Sequence, residues 1–260
     1  MKHGSGSLSV VIITYNEAEH IGDCLHAALQ VSDDVVIIDS FSTDRTPEIC
    51  REFGVKLYQQ EWMGFGPTKN LGNEQAHYNW ILSLDADEVM SEELIEAINT
   101  FMNHKADGSI GFGVVNRKNL FCGQWIRYCG WYPDYKARLF HRHYAYWSDD
   151  KVHEELLCKD DDVSFKYLNG ALMHYSFATV TDHVDRINRY SSLKAEEKRQ
   201  KGESPSVIAL LVKPPAAFLK VFLLKGGFLE GWAGLIISVN TAYARYLREV
   251  KLWSGKRRTS

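Results

Sequence analysis

The chain has 260 residues, 45% of them hydrophobic and 24% charged, with a formal net charge of −3. These values are ordinary for a folded protein, and the length suits one large domain or a domain with an appendage. The five cysteines, Cys24, Cys50, Cys122, Cys129 and Cys158, are odd in number and lack CxxC spacing. That argues against a disulfide framework or a zinc site and for a reducing cytoplasm.

The opening "MKHGSGS" is polar, shows no signal-peptide pattern and is set aside from the fold reading. "LSVVIIT" (8–14) is a short β-branched run that predicts a buried strand, and residues 17–29 follow with helical spacing at Ile21, Leu25 and Leu29. "DVVIID" (34–39) predicts a second strand. The stretch 42–54 predicts a helix, with polar caps at its start, Pro47 in its first turn and Gly54 at its end. Residues 55–59 and 80–85 predict two more strands around a helix at 66–78, and 91–102 predicts another helix. Strands alternating with helices, apolar on both faces, imply a parallel sheet covered on each side, a Rossmann-like half. From about 110 to 175 the texture changes to a mixed or antiparallel extension, and 179–202 predicts a polar helix.

In open α/β sheets ligands gather beyond the carboxyl ends of the strands. Here those ends are "TYNE" (14–17), "DSFSTD" (39–44) and "DADE" (85–88), all acidic or hydroxyl-rich. No G-x-G-x-x-G or P-loop pattern is present, which argues against a dinucleotide oxidoreductase or a P-loop ATPase. Asp85 and Asp87, adjacent at a strand tip, need a compensating positive charge. A hard divalent cation carrying a diphosphate would supply it, because Mg²⁺ is held by one or two carboxylates plus substrate phosphates.

"VVIITYNEAEHIGDCL", "VVIIDSFSTDRTPEI", "GPTKNLG" and "WILSLDADE" resemble, in order and spacing, the nucleotide-sugar half of the family 2 glycosyltransferases. "YPDYKARLFHR" (132–142), "VHEEL" (152–156) and "MHYSF" (173–177) look like the lipopolysaccharide-core β-1,4-glucosyltransferase branch. The resemblance implies the GT-A fold, a Rossmann-like, mostly parallel sheet flanked by helices, followed by a C-terminal amphipathic helical extension. It divides the chain into 8–202, with a nucleotide-sugar half at 8–100 and an acceptor-side half at 101–202, and a membrane-associating tail at 203–260.

Carried onto this chain, the resemblance implies that Thr14, Tyr15, Asn16 and Glu17 line the nucleoside pocket. Asp39 would accept the ring N–H of uracil, flanked by Ser42 and Asp44. Lys69 would sit near the nucleotide. Asp85 would face ribose or metal, and Asp87 would ligate Mg²⁺ or Mn²⁺, with His174, or else His153, as a further ligand. Glu154 is the favoured catalytic base and Asp134 the other candidate. Trp125, Trp131 and Tyr132 could stack on a sugar.

From Pro205 onward nine basic residues face only Glu230 and Glu249, so this segment carries roughly +7 and the remainder roughly −10. Its apolar stretches are interrupted by Lys213, Pro214, Pro215, Lys220 and Lys225, and no run reaches the ~20 apolar residues of a spanning helix. The pattern fits helices lying on an anionic membrane surface. It does not fit a nucleic-acid stripe, and it leaves a homodimer open. The expectation is a metal-dependent inverting transferase on the inner face of the cytoplasmic membrane. It would move a sugar, glucose by preference, from a UDP-sugar to a glycolipid. The alternatives are a polyprenyl-phosphate acceptor or a non-catalytic nucleotide-sugar binder.

Overall fold

The structure, a computed structural model, describes residues 8–104, 111–149, 155–159 and 163–256. The first elements are β1 (Leu8–Thr14), α1 (Ile21–Ala28), β2 (Asp34–Asp39), α2 (Thr46–Glu52), β3 (Lys56–Gln59), α3 (Phe65–Gln75) and β4 (Trp80–Asp85). β1 runs parallel to both β2 and β4, so that Ile13 lies opposite Ile38 on one side and Asp85 on the other. Along β1 the side chains alternate between two cores. Val10 and Ile12 join Leu25, Ile37 and Leu82, while Val11 and Ile13 join Val36, Ile38 and Ile81. Each such side chain, fully buried, contributes about 1.5–3 kcal/mol. On the second face α3 approaches closely at Gly72, where a Cβ would stand 2.4 Å from Val11 Cγ1.

The chain continues through β5 (Glu88–Met90), α4 (Glu92–His104), β6 (Gly111–Phe121), β7 (Gln124–Trp125) and β8 (Asp134–His141). Then come β9 (Ala145–Trp147), β10 (Leu156–Cys158), β11 (Ser164–Tyr167) and β12 (Leu172–Phe177). The main sheet has the order β3-β2-β1-β4-β8-β6-β12-β5, with β7 and β11 paired to β6. β8 lies antiparallel to both β4 and β6, and β12 antiparallel to β5, which is the mixed extension the sequence predicts. β9 and β10 form a separate antiparallel ribbon.

Two compact units result, Met1–Arg117 with Asp134–Tyr175, and Lys118–Pro133 with Ser176–Ser260. They cut the chain elsewhere than the expected division near residue 202. The second unit gathers α5 (Val180–Gln200), α6 (Val207–Leu219) and α7 (Gly231–Lys256) with the loop before β8. α5 opens on a capping box between Thr179 and Asp182, which satisfies two otherwise orphaned N–H groups. α6 contains Pro214 and Pro215 and passes into a π-helical turn, Lys220–Leu224. A 3₁₀ turn, Gly227–Glu230, then leads into α7. The core of this unit is Phe121, Ile126, Cys129, Phe177, Val221, Ala233 and Ile237.

Candidate active site

The site begins where β1 and β2 end side by side, with Thr14 opposite Asp39. Asp39 is fully buried, and a buried carboxylate is tolerated only where donors surround it. The Ser42 N–H donates to it at 3.1 Å, the Ser42 hydroxyl donates as well, and Gln59 Nε2 donates at 3.2 Å. The two loops are laced together. Asn16 N–H donates to Ser42 Oγ at 2.8 Å, and Thr43 N–H donates to Asn16 Oδ1 at 2.8 Å. Glu17 N–H donates to Thr46 Oγ1, and Ala18 N–H to Asp44 Oδ2. Asn16 and Phe41 hold left-handed backbone conformations at φ 54° and 59°, which non-glycine residues adopt mainly where the surroundings enforce them. Thr14 is buried and Tyr15 is 57% exposed, so the loop presents an aromatic ring to solvent beside Asp39's strand end.

At the end of β4 the two aspartates have different partners. Asp85 meets Lys69 Nζ at 3.0 Å and Arg138 Nη2 at 2.9 Å. Burial opposes its charge, but Lys69 and Arg138 outweigh that and hold its carboxyl far below the usual carboxylate range. Lys69 is itself fully buried on α3, with its ammonium 4.8 Å from the Trp147 ring centre. Asp85 is thus compensated from within the protein. This changes the expectation that a metal neutralises both aspartates, because each Asp85 oxygen already faces a cation.

Asp87 lies two residues further on, with His174 Nε2 3.1 Å from its Oδ2. The strand pairing that places Glu88 opposite His174 brings the two together. Tyr175 N–H donates to the Asp87 carbonyl at 3.0 Å, and the Tyr175 ring stacks on His20 at 4.6 Å. Among the described residues no ready cluster of three metal-ligating side chains forms. One carboxylate and one imidazole in contact nevertheless match what Mg²⁺ or Mn²⁺ accepts when substrate phosphates and water complete its shell.

Three charged residues joined to this site were not singled out from the sequence: Glu88, Arg117 and Arg138. Glu88, fully buried, accepts from Asp85 N–H at 3.0 Å and from Arg138 Nη2 at 2.6 Å, and its Oε1 lies 3.3 Å from Arg117 Nη1. Arg117 continues to Asp134, with Nη2 at 2.8 Å from its Oδ2, and Lys136 pairs with the other oxygen at 3.2 Å. Lys69, Asp85, Arg138, Glu88, Arg117, Asp134 and Lys136 therefore form one line of alternating charge. The available signal was the spacing of Asp134, Lys136 and Arg138 along a strand, although the β6–β8 register slips by one residue at Arg138, so the period of two holds only for the first two. Burial raises the Asp134 carboxyl, but Arg117 and then Lys136 outweigh it and hold it below its ordinary value.

The remaining expected residues divide. Glu154 and His153 lie outside the described residues. Trp131, half-buried, packs against the core of the second unit, edge-on to Phe121 at 5.9 Å and to His183 at 5.7 Å. Tyr132 lies under Lys118 at 6.0 Å.

Parallel strands ending in a polar loop, an acidic tip beside β4 and an antiparallel extension define a GT-A-type transferase fold. The Glycosyl transferase family 2 profile matches residues 9–174. The chain is 30% identical over 260 residues to an uncharacterized glycosyltransferase, RP128, of Rickettsia prowazekii (strain Madrid E), covering 94% of this chain and 86% of that one. It is 27% identical over 257 residues to the lipopolysaccharide core biosynthesis glycosyltransferase LpsC of Rhizobium meliloti (strain 1021), covering 95% and 92%. Among solved structures it resembles the mannosyltransferase PcManGT of Pyrobaculum calidifontis, in complex with GDP-Man and Mn²⁺, with TM-score 0.54 and 15% identity. That match covers 95% of this chain and 86% of the other. The chain belongs to glycosyl transferase family 2.

Proposed function

We propose that the protein is a metal-dependent, inverting transferase that moves glucose from UDP-glucose to a lipopolysaccharide-core glycolipid at the inner face of the cytoplasmic membrane. The observation that carries this reading is the convergence of Asp39, Asp85 and the Asp87–His174 pair at the carboxyl ends of neighbouring strands. The full-length similarity to LpsC supports the acceptor class.

Asp39 accepts the uracil ring N–H, which cytosine lacks. The loops of Tyr15, Asn16, Glu17, Ser42 and Asp44 hold the nucleoside. Asp85, fixed by Lys69 and Arg138, is directed to the ribose. Asp87 and His174 hold the divalent ion, which when bound supplies Lewis-acid stabilisation of the leaving diphosphate. Glu154 takes the proton of the acceptor hydroxyl as that oxygen bonds to the anomeric carbon. The carbon–oxygen bond to UDP breaks with its electron pair leaving on the diphosphate, and one displacement inverts the centre. Asp134 is the weaker candidate base, since its cationic neighbours favour the unprotonated form and lower its proton affinity.

The test is thermal shift against UDP-, GDP-, CDP- and TDP-sugars with Mn²⁺ or Mg²⁺, followed by transfer to purified lipopolysaccharide core. UDP-glucose should stabilise most, and Asp39→Ala should weaken UDP binding by about 1.5–3 kcal/mol, the scale of a charged hydrogen bond. Unchanged UDP affinity in that variant would put the base elsewhere. Donor binding without any transfer would leave a nucleotide-sugar binder.

A further inference from the structure

By length and composition, Val207–Leu224 is the one described helical stretch apolar enough to cross a membrane, and it is almost entirely unburied. Its exposure follows helical spacing. Positions 208, 211, 212, 215, 216, 219, 220, 223 and 224 are all exposed, at intervals of three and four, and form one stripe. In a helix of a soluble protein that outer stripe is polar. Here it reads Ile208, Leu211, Val212, Leu219, Leu223 and Leu224 with two small residues, and its charges are Lys220 and, at the edge, Lys213, which pairs with Glu249. Leu224 is 83% exposed, and Trp232, just past the turn into α7, is 80% exposed.

Charge indicates what covers this face. The two carboxylates of the segment from Pro205 onward are both turned inward. Glu230 accepts from Gln124 Nε2 and from the N–H groups of Arg127 and Tyr128 at 2.6–2.7 Å. Glu249 is 3% exposed beside Lys213, Lys198 and Arg248. The outer surface of the α6–α7 hairpin is consequently apolar and basic. A second protein chain would need acidic partners for it. An anionic phospholipid surface presents negative headgroups at the level of the lysines and acyl chains beneath them.

We propose that the stripe on α6, continued by the turn to Trp232, is a membrane-docking face that lies in the plane of an anionic phospholipid leaflet along about 27 Å of helix. The helix lies flat and does not span, because spanning would carry Lys213 and its buried partner Glu249, 3.1 Å apart, into hydrocarbon. This assigns the surface behind the membrane-acceptor reading above, yet its test needs no turnover.

Full-length protein is sedimented with phosphatidylcholine vesicles, with and without phosphatidylglycerol, in the absence of donor. Binding is expected only with phosphatidylglycerol and should fall with salt. Leu211→Glu/Leu219→Glu should weaken it at least about tenfold, and Lys220→Glu about fivefold or more, with unchanged melting temperature because these side chains face water. Alkaline carbonate should strip the protein from membranes. Wild-type binding to neither vesicle, or unchanged binding by the double variant, would overturn the proposal. So would resistance to carbonate, which means a spanning helix. A stable dimer that the double variant dissociates would assign the stripe to a second copy instead. Vesicle binding without any glycosyl transfer would sink the proposed reaction and leave this face standing.

Discussion

The two units place their charges in opposite ways. In the first, carboxylates gather at strand ends and buried cations come to meet them, so Lys69 and Arg138 are almost completely removed from water. In the second, the carboxylates Glu230 and Glu249 are buried while apolar side chains and lysines face outward. The first arrangement raises a local field at a fixed point, as a site that binds a charged small molecule requires. The second leaves a surface with no internal partner. Burial alone would rank these regions wrongly, because the most buried charges lie at the candidate site and the most exposed leucines belong to the proposed docking face.

The largest expected effects come from removing the proposed catalytic base and metal ligand. Glu154→Gln should lower turnover by about 10²- to 10⁴-fold with little change in UDP-sugar affinity, since only the proton acceptor is removed. Asp87→Ala should abolish turnover and also weaken direct Mn²⁺ binding measured calorimetrically, while circular dichroism stays unchanged. If Asp134→Asn is the silent enzyme and Glu154→Gln the active one, the two carboxylates exchange roles.

Next in size is the line of alternating charge that holds Asp85. Arg138→Ala leaves Asp85 and Glu88 with one cation each in place of two, and removing one partner of a buried ion pair costs about 3–5 kcal/mol. The melting temperature should drop by roughly 10 °C at about 2–4 °C per kcal/mol. Lys213→Ala in the second unit is the matched control. Its ammonium is half-exposed and Glu249 keeps Lys198 and Arg248, so the loss should stay within about 1 kcal/mol. Equal losses in both variants would erase the contrast between the two regions.

Much of the first unit was legible in the sequence. β1, β2 and β4 fall where the apolar runs predict, because a strand buried on both faces needs an unbroken apolar segment. The start of α2 was read too early, for a local reason. α2 begins at Thr46 and not at 42, because the Ser42 and Asp44 side chains are engaged with the N–H groups of Asn16, Ala18 and Thr46. α3 ends at Gln75 because Asp34 and Ser9 take the N–H groups of His77 and Tyr78. The site was legible only as far as its strand-end loops. Arg138 and Glu88 lie 50 positions apart and meet only when β8 is laid beside β4, which no local period encodes. The outward apolar stripe of α6 has the same period as an inward one, so periodicity locates the stripe but not the side it faces.

The effect that separates the two regions by pH rests on His183 and Asp34. Burial first, and then the nearby Arg186, push His183 down to about 4. The ring sits against Phe121 and Phe177 and contacts the Asn240 side-chain amide at 3.0 Å. The unfolded chain therefore takes up a proton near pH 6.5 that the folded one refuses until about 4, so stability is complete above 6.5 and declines as pH falls across that window. Asp34 behaves differently. Burial would raise its carboxyl, but hydrogen bonds from Lys56, Ser9 and the His77 N–H hold it below its ordinary value. Its contribution is complete above the ordinary carboxylate pKa of about 3.9 and is lost only as pH falls through the lower folded value. Melting temperature followed against pH should therefore show two successive declines. His183→Gln should flatten the one between about 6.5 and 4, and Asp34→Asn should flatten only the more acidic one. If His183→Gln leaves the first decline intact, His183 is protonated in the fold, and the apolar cage of the second unit is more open to water than its packing indicates.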